Sequence, residues 1–154
     1  MFEVGKIYNR REDIHGKFSG QQQGGICTPK EHPFVILFTG DIVNNKADEL
    51  LPYMNVFDKL QAKDGKFSIL GNHDYGDYVS WESEEAKHQN LEQLKTLQKE
   101  LGFDLLLNES RYLEKNGERI ALVGVENWGI GGFKQAGNLN KASEQINEND
   151  FKIL

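Results

Sequence analysis

The sequence has almost no cysteine: Cys27 is the only one among 154 residues, so an intrachain disulfide is excluded. It also lacks any run of about 18 consecutive apolar residues, and we therefore expect no membrane-spanning helix. No secretory signal peptide is recognisable at the amino terminus. We expect a cytoplasmic protein, or a membrane-associated one if the full-length protein carries an anchor outside this sequence.

Basic residues are outnumbered by acidic ones. Lys and Arg total 18 against 24 Asp and Glu, which gives a formal net charge of −6. No basic patch stands out, so nucleic acid is not an expected partner. A length of 154 residues is typical of a single domain that buries about 70% of its unfolded surface.

Two stretches share one form, in which a short apolar run leads into glycine and then into polar side chains. The apolar runs are residues 34–38 and 67–70, and each reads as a buried strand. Parallel strands would deliver the polar residues to one edge of a sheet, where ligands bind in open α/β folds. The polar blocks are Gly40-Asp41 and Gly71-Asn72-His73-Asp74.

These two blocks resemble the signature of the calcineurin-like metallophosphoesterases. The alternative is that Asn and Asp serve only turn chemistry, which explains neither the histidine nor the second strand-glycine-aspartate unit. The resemblance implies an α/β fold, a partial calcineurin-like phosphoesterase sandwich with a mainly parallel sheet, flanking helices and one hairpin. It also implies a hydrolase of phosphomonoesters or phosphodiesters that uses two divalent metal ions, Mn, Fe or Zn.

The resemblance further implies a role for each polar residue of the blocks. Asp41 matches a carboxylate that bridges the two metal ions, and Asn72 matches a neutral oxygen ligand of the second ion. His73 matches an imidazole that is not a ligand and that stabilises the transition state or protonates the leaving group. Asp74 matches a carboxylate next to this histidine, and we expect it to orient the ring of His73.

The segment Asp13-Ile14-His15 has the form of the Asp-x-His block that comes first in the family signature. Polar residues precede it where the family has an apolar strand, and the glycine-rich residues 16–33 show no helical period. Asp13 and His15 are therefore either ligands of the first metal or a chance match. We treat residues 1–33 as an atypical segment, with an altered or out-of-frame first βα unit as a hypothesis.

Residues 34–154 resemble the N-terminal half of such a domain. The family's later histidine blocks have no counterpart, because no histidine follows His88. We therefore expect a truncated site that is weakly active or inactive in this chain alone. The alternatives are a non-catalytic metal- or phosphate-binding chain and a structural fragment that needs a missing C-terminal half.

Periodicity and turn residues predict the remaining elements. They are a helix over 47–60, a polar loop over 75–89, a leucine-striped helix over 91–101, a strand at 105–107, a hairpin through Asn116-Gly117, a helix over 140–146 capped by Asn140, and a strand at 151–154. The last strand is an unpaired apolar edge, from which we expect self-association.

For four further side chains, we weigh a structural role against a functional one. We interpret Tyr78 and Trp81 as covering the edge of the core rather than flanking a substrate. His88 reads as a solvated surface histidine rather than a ligand. Glu126 either borders the active site, as a similar segment does in resembling bacterial proteins, or simply caps the end of a strand.

Overall fold

The computed structural model describes residues 6–8, 34–129, 132 and 135–154, with the backbone alone described at 6–8. The strands are β1 (Lys6–Tyr8), β2 (Ile36–Phe38), β3 (Lys66–Ser68), β4 (Phe103–Leu105), β5 (Glu109–Lys115), β6 (Glu118–Gly124) and β7 (Phe151–Ile153). The helices are α1 (Met54–Phe57), α2 (Glu84–Glu100) and α3 (Leu139–Ser143), with 3₁₀ helices at Ala47–Tyr53 and His73–Tyr75. The predicted α/β class, with a parallel sheet, helices and a hairpin, is confirmed.

The first sheet is parallel throughout and has the strand order β1-β2-β3-β4. Leu37 of β2 pairs with Phe67 of β3, so these two strands lie side by side and point the same way. Because parallel strands end at one edge, the loops that follow β2 and β3 are neighbours there. The strand β1 was not predicted, because Lys6-Ile7-Tyr8 is too short and too polar to give a periodic signal.

One face of this sheet is covered by α2 and by the helical segment that begins at Ala47. Phe38 lies at the centre of the resulting core, with ring centroids 5.9 Å from Phe57 and 6.2 Å from Phe103. The buried leucines of α2, among them Leu94 and Leu97, pack into the same cluster. The leucine stripe in the sequence is therefore core, as its spacing predicts.

The second sheet has the order β5-β6-β7 and contains the predicted hairpin. Asn116 and Gly117 have φ values of 54° and 81°, and positive φ at both central residues is the mark of a type I′ turn. The strand β7 runs parallel to β6 at the edge of the sheet. Phe151 of β7 is 69% exposed, so the edge is apolar as predicted. The prediction of an unpaired strand was wrong, because one side of β7 pairs with β6 and only its other side is an edge.

Element boundaries differ from the predictions in several places. The helix predicted over 47–60 is a 3₁₀ helix followed by the short α1, because Pro52 offers no N–H to an α-helical ladder. The loop predicted to reach residue 89 ends earlier, since Ser83 caps α2 by accepting from the amide of Ala86. Asn138 rather than Asn140 caps α3, and β4 lies two residues earlier than predicted.

Within the described ranges, no helix has both the length and the apolar character needed to cross a membrane.

Candidate active site

The loops after β2 and β3 meet at two glycines. A Cβ atom on Gly40 would lie within 3.0 Å of the backbone of Gly71, and one on Gly71 would lie equally close to the carboxylate of Asp41. Gly40 and Asp41 also have φ values of 93° and 57°, a region that side chains with a Cβ rarely adopt. The approach of the two loops therefore requires glycine at both positions, and it turns Asp41 toward the second loop.

Asp74 connects the two loops through hydrogen bonds to its carboxylate. Its carboxylate is fully buried and accepts hydrogen bonds from three backbone amides, those of Gly71 (2.8 Å), Asp41 (2.8 Å) and Val43 (3.3 Å). These are its hydrogen bonds within the described part of the chain, and none of them reaches the ring of His73. The expected orienting role is therefore corrected: Asp74 holds the backbone of both loops and acts on His73 only through that backbone.

Burial raises the pKa of Asp74 to about 7, although the three amides that bond to the ionised form oppose the shift. The charge of Asp41 raises the pKa further. A folded-state pKa above the unfolded value of about 3.9 means that the folded chain binds the extra proton. This contribution to stability is fully present below pH 4 and is lost as the pH rises through 7.

We predict that the Asp74→Asn variant loses this pH dependence. The Asp74 contribution in the parent chain should decrease by about 2 kcal/mol between pH 5 and pH 7, and asparagine does not titrate. Urea unfolding of both proteins at the two pH values measures the difference. Asp48→Asn, at an exposed position, should keep the parent pH dependence, and equal slopes in the parent and Asp74→Asn would contradict the assignment.

His73 lies on the second loop, and hydrogen bonds hold both its backbone and its ring. Its amide donates to Oδ1 of Asp41 at 3.0 Å, which joins the second loop to the first. Its ring Nδ1 lies 2.9 Å from the carbonyl oxygen of Asn44. A carbonyl oxygen can only accept, so Nδ1 carries the proton of this bond and Nε2 is the atom left for proton exchange.

Tyr78 was not predicted to be part of this site. Its ring stacks on that of His73, with centroids 4.5 Å apart and an interplanar angle of 20°. Its hydroxyl accepts a hydrogen bond from Nδ2 of Asn72. Tyr78 is 46% exposed, which corrects its interpretation as a cover for the core. Trp81 is half-buried, and its indole N–H donates to the carbonyl of Gly76 at 2.7 Å.

Two oxygen atoms at this edge are left available to a cation. Oδ2 of Asp41 and Oδ1 of Asn72 have no hydrogen-bond partner among the described residues, whereas the other polar atom of each side chain is engaged. Carboxylate and amide oxygens suit hard and borderline divalent ions, so the chemistry of the donor pair fits a metal. The described residues contain no cluster of three or more His, Cys, Asp or Glu that could hold one.

Asp13 and His15 lie outside the described residues, so their role as ligands stays a prediction. Asp41 and Asn72 are the two predicted ligands that the described structure contains. Their loops are brought together by the glycines and by Asp74. His88 lies exposed on α2, as a surface histidine should.

Glu126 belongs to a network that joins the two sheets. Its carboxylate accepts from the hydroxyl of Tyr75 at 2.8 Å and from Nδ2 of Asn108 at 2.6 Å. Oδ1 of Asn108 in turn accepts from the amide of Asn138 at 2.6 Å. Burial and the neighbouring carboxylate of Glu126 raise the pKa of Tyr75, which therefore stays a hydrogen-bond donor. Of the two readings of Glu126, contact with the loop that carries the site is the one observed.

Comparison with known proteins supports the resemblance noted above. A model of the family described as calcineurin-like phosphoesterase matches residues 13–153. The chain belongs to the calcineurin-like phosphoesterase family. The family description names phosphoester hydrolysis as the general chemistry of its members. The matched region begins at Asp13, so the Asp13-Ile14-His15 segment falls inside the family match.

One curated relative of this chain is described as an uncharacterized metallophosphoesterase, YkoQ, from Bacillus subtilis (strain 168). It is 28% identical over 102 residues, which cover 64% of this chain and 34% of the relative. The chain therefore spans about a third of the length of that relative. No solved structure matches this chain.

Proposed function

We propose that this chain takes part in the hydrolysis of phosphomonoesters or phosphodiesters at a two-metal site. Asp41 would be the ligand shared by the two ions, Asn72 would bind one of them, and Asp13 and His15 would bind the other. The single observation that carries the proposal is the hydrogen bond between the amide of His73 and Oδ1 of Asp41. It joins the two family blocks across the loops while Oδ2 of Asp41 and Oδ1 of Asn72 stay available.

Bound divalent ions supply Lewis-acid polarisation of a phosphoryl oxygen and lower the pKa of a bound water. Mn, Fe and Zn are the ions that suit mixed oxygen and nitrogen ligands. Asp41 would be able to hold two ions, because a carboxylate offers two oxygens. Its Oδ1 accepts the amide of His73 and keeps a second lone pair.

His73 supplies the proton that the leaving group needs. As a water oxygen bonds to phosphorus and the bond to the leaving oxygen breaks, the developing alkoxide takes the proton on Nε2 of the imidazolium, and the proton that the water loses restores the imidazolium. The carbonyl of Asn44 holds Nδ1 and so fixes the ring orientation during the transfer. Asp74 contributes by keeping the backbone of both loops in place rather than by contacting the ring.

Two protein ligands by themselves are expected to bind metal weakly. Tight sites use three or more protein ligands per ion, and Asp41 and Asn72 are the candidates among the described residues. A non-catalytic metal- or phosphate-binding chain, or a structural fragment, is therefore the alternative function.

The exposed side chains of Phe151 and Leu154 favour a further proposal, self-association through the edge strand β7.

Hydrolysis of an activated aryl phosphodiester by the purified 154-residue chain tests the proposal. The assay uses protein in excess over substrate and enough Mn²⁺ to saturate the site, with saturation verified by electron paramagnetic resonance. We expect slow hydrolysis that requires Mn²⁺ and disappears in Asp41→Asn. A parent chain that is saturated with Mn²⁺ and hydrolyses no faster than Asp41→Asn would contradict catalysis and favour the non-catalytic alternative.

A further inference from the structure

Tyr78 touches both residues that the proposed reaction needs on the second loop. Its hydroxyl accepts from Nδ2 of Asn72, and its ring lies parallel to that of His73 at a centroid distance of 4.5 Å. A tyrosine that merely filled the core would be buried, but Tyr78 is 46% exposed. Its hydroxyl and its ring therefore both contact residues of the site.

The loop that carries Tyr78 is anchored on both sides. Gly76 turns the chain with a φ of 69°, and a side chain there would collide with Trp81. Trp81 donates from its indole N–H to the carbonyl of Gly76, which closes the loop after Tyr78. Before Tyr78, the carboxylate of Asp77 pairs with Lys87 on α2. These contacts hold an exposed ring in one place, which gives the ring a fixed position over His73.

We propose that Tyr78 is a positioning residue with two separable actions, an inference that rests on the proposed function. The hydroxyl holds the amide of Asn72 by accepting from Nδ2, the arrangement in which Oδ1 is the atom offered to a cation. In the flipped amide, Nδ2 would take the place of Oδ1, and an amide N–H₂ group cannot ligate a cation. The ring of Tyr78 stacks on the imidazole of His73 and so limits its rotation. The hydrogen bond from Nδ1 to the carbonyl of Asn44 favours the same ring orientation.

The two actions predict different outcomes for two substitutions. Tyr78→Phe removes the acceptor for Asn72 but keeps the stacked ring, so Mn²⁺ affinity should decrease by about 10-fold, the lower limit for the loss of a partner of a metal ligand. Tyr78→Leu removes both contacts. It should weaken Mn²⁺ binding to the same extent and also release the ring of His73.

Two measurements on the 154-residue chain separate these effects. Titration with Mn²⁺ followed by electron paramagnetic resonance gives the affinity of the parent, Tyr78→Phe, Tyr78→Leu and Asn72→Ala. The proton NMR shift of the His73 ring, recorded without metal, reports the stacking. The ring current of Tyr78 should displace that signal upfield in the parent and in Tyr78→Phe, and the displacement should vanish in Tyr78→Leu.

Tyr112→Phe is the matched control. It also removes a tyrosine hydroxyl, one that donates to Asp150 on the second sheet, and it should leave both measurements unchanged. Parent affinity in Tyr78→Phe, together with weakened binding in Asn72→Ala, would overturn the role of Tyr78 and leave the proposed metal site intact. Parent affinity in Asn72→Ala, or no Mn²⁺ binding by the parent, would overturn the metal site and the role of Tyr78 with it. An unchanged His73 signal in Tyr78→Leu would overturn the stacking role.

Discussion

Replacement of Asp41 by asparagine is expected to weaken Mn²⁺ binding to this chain by about 100-fold or more. Removing a residue that hydrogen-bonds to a metal ligand lowers metal affinity by about 10- to 100-fold. Removing a charged ligand itself should therefore lower the affinity by at least the upper value. Asparagine has nearly the same shape and keeps an oxygen that can accept from the amide of His73. The variant therefore removes charge and one ligand oxygen while the contact between the loops is preserved.

Electron paramagnetic resonance of Mn²⁺ in the presence of parent and variant chains measures this effect. Asp58→Asn is a suitable control, since Asp58 is an exposed aspartate just after α1 and should bind Mn²⁺ like the parent. Equal affinities in the parent and Asp41→Asn would remove Asp41 from the site. Urea unfolding of the same samples verifies that both variants are folded at the temperature of the titration.

Replacement of His73 by alanine is expected to lower the single-turnover rate of hydrolysis to near the buffer rate, since loss of a general acid costs about 10²- to 10⁴-fold. The effect should depend on the leaving group. A nitrophenolate leaves with little help from a proton, whereas a more basic alkoxide needs one, so the loss should be larger for the ester with the more basic leaving group. The affinity for Mn²⁺ should stay near that of the parent, because the proposed role of His73 is not that of a ligand.

The assay compares the parent and His73→Ala at saturating Mn²⁺ with two phosphodiesters that differ in leaving-group basicity. His88→Ala removes an exposed histidine on α2 and should retain the parent rates with both esters. A loss in His73→Ala that is equal for both esters would contradict general acid catalysis. A matching loss of Mn²⁺ affinity would instead identify His73 as a ligand.

The sequence was sufficient to predict the elements on which this site is built. Short apolar runs ending in glycine predicted β2 and β3, and their parallel pairing brings Asp41 and His73 into contact. The hairpin was equally clear, since Asn116-Gly117 favours one turn type. These features depend on residues close together in the chain, where periodicity and turn chemistry give a direct signal.

What the sequence did not predict depends on contacts between distant residues. Asp74 was interpreted as the residue that orients His73, but its oxygens accept amides from both loops, and two of these donors lie more than 30 residues away. The network of Glu126 reaches Tyr75 across 51 residues. Neither arrangement leaves a periodic pattern, and a polar side chain alone does not indicate which backbone group it will meet.

Tyr78 was misread for a different reason. An aromatic residue in a polar loop usually covers apolar surface, and the sequence gives no sign that Gly76 and Trp81 would turn this one outward over His73. A stacked ring and an accepted amide proton are both consequences of the loop conformation. They become visible only when the loop is placed against the end of β3.

The central claim is that Asp41 and Asn72 belong to one metal site, and a crystal of the 154-residue chain soaked with Mn²⁺ tests it most directly. Diffraction data collected near the manganese absorption edge locate the ion from its anomalous signal. We expect a peak in contact with both Oδ2 of Asp41 and Oδ1 of Asn72, absent from crystals of Asp41→Asn. A peak bound by other residues, or one that persists in Asp41→Asn, would contradict it.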